Sequence, residues 1–399
     1  MRSQAPLSRV ALMRTALLAA GITLGQIGFF LSAAPGHSLN ARYLGGFQWD
    51  SVWYADIARR GYVSTIPPVP DGRYSNVTHF PAYPMAIRAV RVLGVDDRVA
   101  SLATAQLFAW VFWLYVLLML RRWSLHTPAS TLVITAILAH PAAFFMVTAY
   151  SEAMFVTAAF GCWFWSLRSG TLATVLSAAH GFLLTATRIT GTAAAGAPLV
   201  DAAMADLSGR HVKGRLARSA VITAFSLCGA LCFFAFCAWT FGAWNFYEIR
   251  QRLGWGHRAD YLAAFYPSAY RLFVPNWHDE AELGAFENPY LLAAIAIYVA
   301  IWARARKPVE SSSLMLMAAA VLYLTICAVY HTRFPAMARY QFPIHAMIVM
   351  AYADVLRSAH GAPLWLRGIG AALLVALALA SLRLQWDLAS MFARGLRVL

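Results

Sequence analysis

The sequence predicts an all-α, polytopic integral membrane protein, a bundle of about eleven transmembrane segments with interfacial helices in a long first extracytoplasmic loop. Three observations carry this expectation. Of the 399 residues, 60% are apolar and only 12% are charged, far from the composition of a soluble domain. Apolar runs of membrane-spanning length recur along the chain. Between them lie two long polar segments, 35–100 and 243–288, rich in Trp, Tyr and charge.

The net charge of +15 does not call for nucleic acid, because loops kept on the cytoplasmic side are enriched in Lys and Arg. The five cysteines, Cys162, Cys228, Cys232, Cys237 and Cys327, all fall inside apolar runs. They read as small buried hydrophobes, with no disulfide framework and no metal-ligand pattern with histidine. No cofactor and no metal is implied.

In chain order, Arg2, Arg9 and Arg14 precede the run from Ala16 to Ala34. It reads as a first spanning helix with a cytoplasmic N-terminus. A cleaved signal peptide is the weaker reading, because Pro35 directly follows Ser32-Ala33-Ala34, where cleavage would fall. Further runs follow at 101–120, 129–147, 150–167, 171–187, 189–205, 219–242, 288–304, 312–331, 339–357 and 364–386. Counted with the first, they predict eleven crossings. The fifth and sixth are short, and fusing them would reverse every later loop. Keeping them apart places Arg121-Arg122, Arg210 to Arg218 and Arg304 to Lys307 on one predicted inner side, as the positive-inside rule requires. No internal repeat or linker divides the chain, so residues 1–399 form one membrane domain.

The first outer loop, 35–100, holds the densest chemistry. Trp49-Asp-Ser-Val-Trp-Tyr-Ala-Asp-Ile-Ala-Arg-Arg-Gly-Tyr62 predicts a helix over Ser51 to Arg60, with Asp50 at the N-cap and Gly61 as the C-terminal stop. Trp49, Val52, Trp53, Asp56 and Arg60 share one face, and Asp50, Tyr54 and Ile57 another. Such an aromatic helix belongs at the membrane interface. Asp50 is there either a cap or an acid near headgroup depth. Asp56, three and four residues before Arg59 and Arg60, reads as a surface ion pair. A second helix begins at His79-Phe-Pro-Ala-Tyr-Pro84, with Pro81 at its first position. His79 is either a bystander or a partner for a phosphate or sugar hydroxyl.

Glu152 falls at the tight outer turn between two crossings, where a carboxylate is either a helix cap or a site residue. Arg188 sits at the turn between the two short crossings, where a guanidinium needs an anion or water. In the second outer loop, 243–288, Gln251 and Trp255 combine amide and indole near the interface. Arg333 and Arg339 stand at the mouth of the next hairpin, as phosphate partners or as interface snorkelers. The costly polar groups thus collect on one predicted side of the membrane, which argues for a site.

These residues resemble the PIG-V-like mannosyltransferases, related to GPI mannosyltransferase 2 and belonging to the GT-C class of polytopic glycosyltransferases. The resemblance rests on Trp49-Asp50 with Tyr54, Ile57-Ala58 and Gly61-Tyr62, and on Phe80-Pro81 with Tyr83-Pro84 and Arg88. It continues in Tyr150-Ser151-Glu152, Arg188 with Gly191, Gln251 with Trp255-Gly256, and Arg339-Tyr340. Ile189-Thr190 departs from the eukaryotic pattern between the Arg and the Gly, and the chain is compact beside eukaryotic members.

The resemblance implies a GT-C-like fold and a polyprenyl-phosphate sugar donor, with mannose as the sugar. Transfer is then inverting, on the non-cytoplasmic side, to an acceptor that is a glycan, a glycolipid or a protein. Asp50 matches the usual catalytic position. Arg188 and Arg339 become donor-phosphate partners, with Glu152, His79, Gln251, Trp255, Tyr54 and Tyr340 lining the donor and acceptor site. Few Lys beside many Arg, together with compact loops, suggest a bacterial plasma membrane. Two rival classes stand beside this one: a secondary transporter or flippase built on the short fifth and sixth segments, and a non-catalytic subunit that holds a lipid-linked sugar.

Overall fold

The computed structural model describes residues 8–64, 74–207, 212, 214–273, 285–304, 310–333, 336–356 and 364–396. Within them the chain is helical and holds no strand. The helices, in order, are α1 (Arg9–Ala33), α2 (Leu39–Leu44), α3 (Asp50–Arg60), α4 (Ala82–Arg91), α5 (Asp97–Arg122), α6 (Thr127–Leu138), α7 (Glu152–Ser166) and α8 (Thr171–Thr187). They continue as α9 (Gly191–Ala195), α10 (Ala197–Leu207), α11 (Arg215–Phe241), α12 (Phe246–Arg250), α13 (Asn288–Arg304), α14 (Ser312–Val329), α15 (Met337–Leu356) and α16 (Leu364–Ala393). Of the predicted basic clusters, the parts at 210–211, 213 and 305–307 lie outside the described residues.

Every predicted apolar run contains helix. Among the described residues, α1, α5, α11 and the stretch Ser312–Thr332 are each long and apolar enough to cross a membrane, while α6, α8 and α13 are shorter apolar helices. The protein is an integral membrane helical bundle. Its axis is α7, which is buried on nearly all sides and packs against α5, α8, α14 and α15. Phe112, Trp113, Phe155, Phe160 and Trp163, all fully buried, fill that centre.

α1 docks on this core through a stripe at helical spacing, Thr15, Ala19, Thr23, Gln26 and Phe30. Two indoles fasten it: Trp110 donates to the Ala16 carbonyl at 2.9 Å, and Trp113 to Gln26 Oε1 at 2.6 Å. Asp96 caps α5 by accepting from the Arg98 and Val99 amides at 2.8 and 3.1 Å.

Three expectations need correction. The run 129–147 is not one helix: α6 stops at Leu138, and His140 to Ser151 follow as buried irregular backbone with a 3₁₀ turn at Ala143–Met146. Pro141 lacks the N–H and restricts the residue before it, so the helix cannot continue. Such backbone persists at membrane depth only where protein surrounds it. The second helix of the first loop begins at Ala82, one residue later than predicted, with Pro81 in the cap position. Finally, Cys162, Cys237 and Cys327 are buried, but Cys228 is partly exposed and Cys232 exposed. They lie on the outward face of α11, where lipid is as apolar as a protein interior.

The fifth and sixth runs are two segments, as predicted. Chain direction reverses at Arg188–Thr190. Arg218, at the start of α11, binds Thr174 near the start of α8, and the neighbouring Arg215 pairs with Asp201 of α10. The start of α8 and the body of α10 therefore share one end of the bundle, with Arg188 at the other. Gly191 makes the turn possible: a Cβ there would sit 2.4 Å from the Leu184 carbonyl oxygen. Gly191→Ala is expected to force the turn open and cost about 1–3 kcal/mol, read as a lower unfolding temperature in detergent, and to move Arg188 out of place.

In the first loop, α4 buries Tyr83 and Ile87 completely and leaves Met85 exposed, with Val92 and Leu93 exposed just beyond its end. This is the pattern of a helix lying in an interface. Tyr83 anchors it by donating to the Ser101 carbonyl at 2.7 Å. The second loop is tied down by the Asp260 amide, which donates to the Cys327 carbonyl at 2.9 Å.

Candidate active site

Asp50 does not occupy the N-cap of α3. Trp49 does, with φ 50° and ψ −111°, a strained conformation for a residue with a side chain. The Trp49 indole holds the turn by donating to the Leu396 carbonyl at 3.3 Å. Asp50 becomes the first helical residue, whose amide has no partner inside the helix. It donates instead to the Tyr150 hydroxyl at 3.2 Å. The Asp50 carboxylate is therefore free of capping and turns to Arg339, whose Nη1 donates to Oδ2 at 2.7 Å.

Arg339, two residues into α15, reaches three groups from a side chain only 7% exposed. Besides Asp50, its Nη2 donates to the Tyr340 hydroxyl at 2.9 Å, and its Nε lies 3.2 Å from Glu152 Oε1. The Tyr150 ring lies beneath the guanidinium, 4.8 Å away. Glu152, fully buried at the start of α7, pairs through the same Oε1 with Arg188 Nη2. No side chain caps α7, so Glu152 is an ion-pair carboxylate rather than a cap. Arg188 also donates from Nε and Nη2 to Ser151 Oγ at 3.2 and 3.1 Å, and the Ser151 hydroxyl pairs with that of Tyr54 at 3.1 Å. Tyr340 bridges the arginines, its ring 5.2 Å from the Arg188 guanidinium.

A second layer flanks this cluster. The His79 ring stacks on Trp53 at 6.0 Å and meets the Tyr54 ring edge-on at 5.0 Å. Trp255 packs edge-on against Trp53 at 6.0 Å and donates its indole N–H to Thr78 Oγ1 at 3.3 Å. Gln251 donates to the Thr78 carbonyl at 3.1 Å. A groove of about 320 Å³ is lined by Trp53, Phe47, Asp56 and Arg98 among others. Asp56 pairs with Arg59 and Arg60 and accepts from Asn76, a structural role as predicted.

The structure thus gathers Asp50, Glu152, Arg188, Arg339, Tyr54 and Tyr340 in one cluster, with His79 against it. Gln251 and Trp255 stand one layer away, against Thr78 and Trp53. Arg333 remains exposed. Sequence reasoning missed three contributors, Tyr150, Ser151 and Trp53. The first two flank Glu152 directly, and their hydroxyls beside a buried acid were the available signal.

Burial raises the Asp50 carboxyl, but Arg339, then His79, the Arg339 hydrogen bond and Arg188 outweigh it, so Asp50 titrates below the usual carboxylate range. Burial pushes His79 down from 6.5 to about 4, the charges of Arg339 and Arg188 adding to that while Asp50 opposes it. His79 is neutral near pH 7. The unfolded chain then takes up this proton before the folded one, so stability is complete above about pH 6.5 and is lost as pH falls toward 4. His79→Gln is expected to make that acid loss shallower, as seen in unfolding temperature against pH.

One other group has metal-ligand composition. His140, Glu287 and His345 bring ligand atoms within 4.8 Å of one another. The wiring opposes a metal, because the Ala142 amide donates to His140 Nδ1 and leaves the proton on Nε2, which donates to Glu287 Oε1 at 2.9 Å. A metal-bound histidine needs its other nitrogen as a donor. The arrangement is a histidine–carboxylate tie between the segment after α6 and the start of α13, which the cysteine-centred sequence reading did not see.

By sequence the chain matches no protein-family model and no curated protein. Solved structures do match. The crystal structure of ArnT from Cupriavidus metallidurans bound to undecaprenyl phosphate superposes with a TM-score of 0.55 at 14% identity, over 95% of this chain and 74% of that one. The archaeal oligosaccharyltransferase AglB from Archaeoglobus fulgidus, in complex with an inhibitory peptide and a dolichol-phosphate, superposes with a TM-score of 0.50 at 11% identity. That match covers 95% of this chain and 56% of AglB, so this chain spans little more than half of the AglB length. The chain shares the fold of these two proteins. At these identities the likeness is one of architecture, and the residues of the cluster carry any argument about chemistry.

Proposed function

We propose that this protein is a membrane glycosyltransferase of the GT-C class that transfers a hexose, mannose in the reading the sequence motifs favour, from a polyprenyl-phosphate donor to an extracytoplasmic acceptor with inversion. One observation carries the proposal: a carboxylate and two arginines from three distant parts of the chain meet with Glu152 in a single cluster, Glu152 and Arg339 buried and Asp50 27% exposed. The ArnT and AglB structures hold a polyprenyl phosphate, undecaprenyl phosphate in the first and dolichol-phosphate in the second, which supports the donor class.

In this mechanism Asp50 takes the proton of the acceptor hydroxyl as its oxygen attacks the anomeric carbon. The bond from that carbon to the phosphate oxygen breaks, and its electron pair leaves with the lipid phosphate. Arg188 and Arg339 meet the charge that develops on the phosphate. Neutral His79, Trp53 and Trp255 offer ring faces and edges of the kind that pack on sugars. The acceptor is a glycan, a glycolipid or a protein. Few Lys beside many Arg, together with compact loops, favour a bacterial plasma membrane, and the PIG-V resemblance favours a cluster on the extracytoplasmic side.

The test is purified protein in proteoliposomes with radiolabelled polyprenyl-phosphate mannose and an extract of membrane lipids and glycans. A covalent labelled product is expected. Label that crosses the bilayer without any covalent product would replace the reading with a flippase, and binding without either would leave a donor-holding subunit.

A further inference from the structure

The cluster contains an unfinished pairing. Glu152 Oε2 is buried and has no hydrogen-bond partner among the described residues, and neither has Arg339 Nε. The latter lies 3.2 Å from Glu152 Oε1 but is misaligned for a hydrogen bond. Both unused atoms belong to the Glu152–Arg339 pair. The same guanidinium makes a well-formed bond to Asp50. Unsatisfied buried polar atoms are costly and are rarely left without a reason. A short rotation of the guanidinium toward Glu152 would satisfy both at once and form the two-pronged carboxylate pair that arginine favours. The same rotation would release Asp50.

We propose that Arg339 has two positions, and that the donor phosphate moves it from one to the other, so that Asp50 becomes a competent base only when donor is bound. The inference rests on the glycosyltransferase reading. With the site empty, Asp50 and Glu152 together balance Arg188 and Arg339, and Asp50 is held as a masked, weakly basic carboxylate. A phosphodiester arriving on Arg188 and Arg339 competes with Asp50 for the Nη groups and repels its charge. The guanidinium then settles between phosphate and Glu152. Arg339 is thus a phosphate partner that also sets the basicity of Asp50, and idle proton removal is suppressed in the absence of donor.

The groups facing Asp50 come from every neighbouring element. They are Arg339 from α15, Arg188 from the α8–α9 turn, His79 from the first loop, Tyr54 from α3, and Tyr150 with Glu152 from the start of α7; His257 of the second loop adds a weaker field. Of these, only Arg339 bonds the carboxylate directly.

Two measurements test the switch. In turnover, the acid limb of kcat/KM for donor reports the free enzyme, and that of kcat the donor complex. The kcat limb is expected about one to three pH units higher. In Arg339→Gln the separation is expected to shrink to the part that phosphate repulsion alone supplies, because no guanidinium masks Asp50 in the free enzyme. Coincident limbs in the wild type, or a separation undiminished in Arg339→Gln, overturns the proposal. Infrared spectra of protein carrying isotope-labelled aspartate, with Asp50→Asn as the reference, follow the Asp50 carboxyl without turnover. Undecaprenyl phosphate is expected to raise its titration midpoint, and undecaprenol to leave it alone. No difference between the two lipids overturns the switch even if transfer is robust. Failure of the underlying reading shows instead as absent transfer.

Discussion

Asp50→Asn is expected to abolish glycosyl transfer, lowering kcat by roughly 10²- to 10⁴-fold or more, while the protein still inserts and purifies folded, at a somewhat lower unfolding temperature because the ion pair with Arg339 is lost. The two halves of this result belong together. Asn keeps the shape of Asp and an oxygen that can accept from Arg339 Nη1, so the 2.7 Å contact survives in geometry. What is lost is the charge that receives a proton. Had Asp50 been a helix cap, Asn would have replaced it at almost no cost. Since Trp49 holds the cap position and makes no side-chain capping bond, loss of activity in this variant reports on chemistry. Turnover near the wild-type level would remove Asp50 as the base.

The second large effect concerns stability. Glu152→Ala is expected to destabilise the protein by about 3–5 kcal/mol, the usual consequence of breaking a buried ion pair from one side. Glu152 is fully buried, and its two partners Arg188 and Arg339 are 14% and 7% exposed. Removing the carboxylate leaves two guanidinium groups close together, with Asp50 the one acid among the bonds described here to oppose them. Unfolding temperature in detergent measures the loss. Undecaprenyl phosphate should restore more stability to this variant than it adds to wild type, since an anion bound only to the folded state stabilises by mass action. Glu152→Gln, which keeps an acceptor but no charge, should fall between. An Ala variant as stable as wild type would mean that the arginines are neutralised elsewhere.

Much of this architecture was readable before the structure, for reasons that show why the rest was not. Long apolar runs translate directly into helices, because a backbone in lipid must satisfy its own hydrogen bonds. Arg188 was legible because a guanidinium between two apolar runs needs an anion, and Glu152 because a carboxylate there is equally costly. The convergence of Asp50, Glu152, Arg188 and Arg339 followed from placing each at the same end of its crossing.

What escaped has equally physical causes. An apolar run shows that residues avoid water and says nothing of whether protein or lipid covers them, so Cys232 was read as buried when it faces outward. The same run hid the irregular segment His140 to Ser151, although Pro141 marked the break. Asp50 was misplaced by one position, because the cap rules rank Asp far above Trp. The strained Trp49 turn wins through its tie to Leu396 and the Tyr150 hydroxyl that takes the Asp50 amide. Those partners lie 347 and 100 residues away, beyond any local signal. The His140–Glu287 tie joins residues 147 positions apart and is invisible for the same reason.

The central claim is that Arg188 and Arg339 receive a lipid phosphate beside Asp50. The most direct measurement is a structure of the full chain in lipid nanodiscs with undecaprenyl phosphate bound. The expected result is the phosphate within hydrogen-bond reach of both guanidinium groups, the Asp50 carboxylate facing it across the site, and Arg339 moved toward Glu152. A phosphate seated elsewhere in the bundle, with Arg188 and Arg339 still paired to Glu152 and Asp50 as they are here, would contradict it.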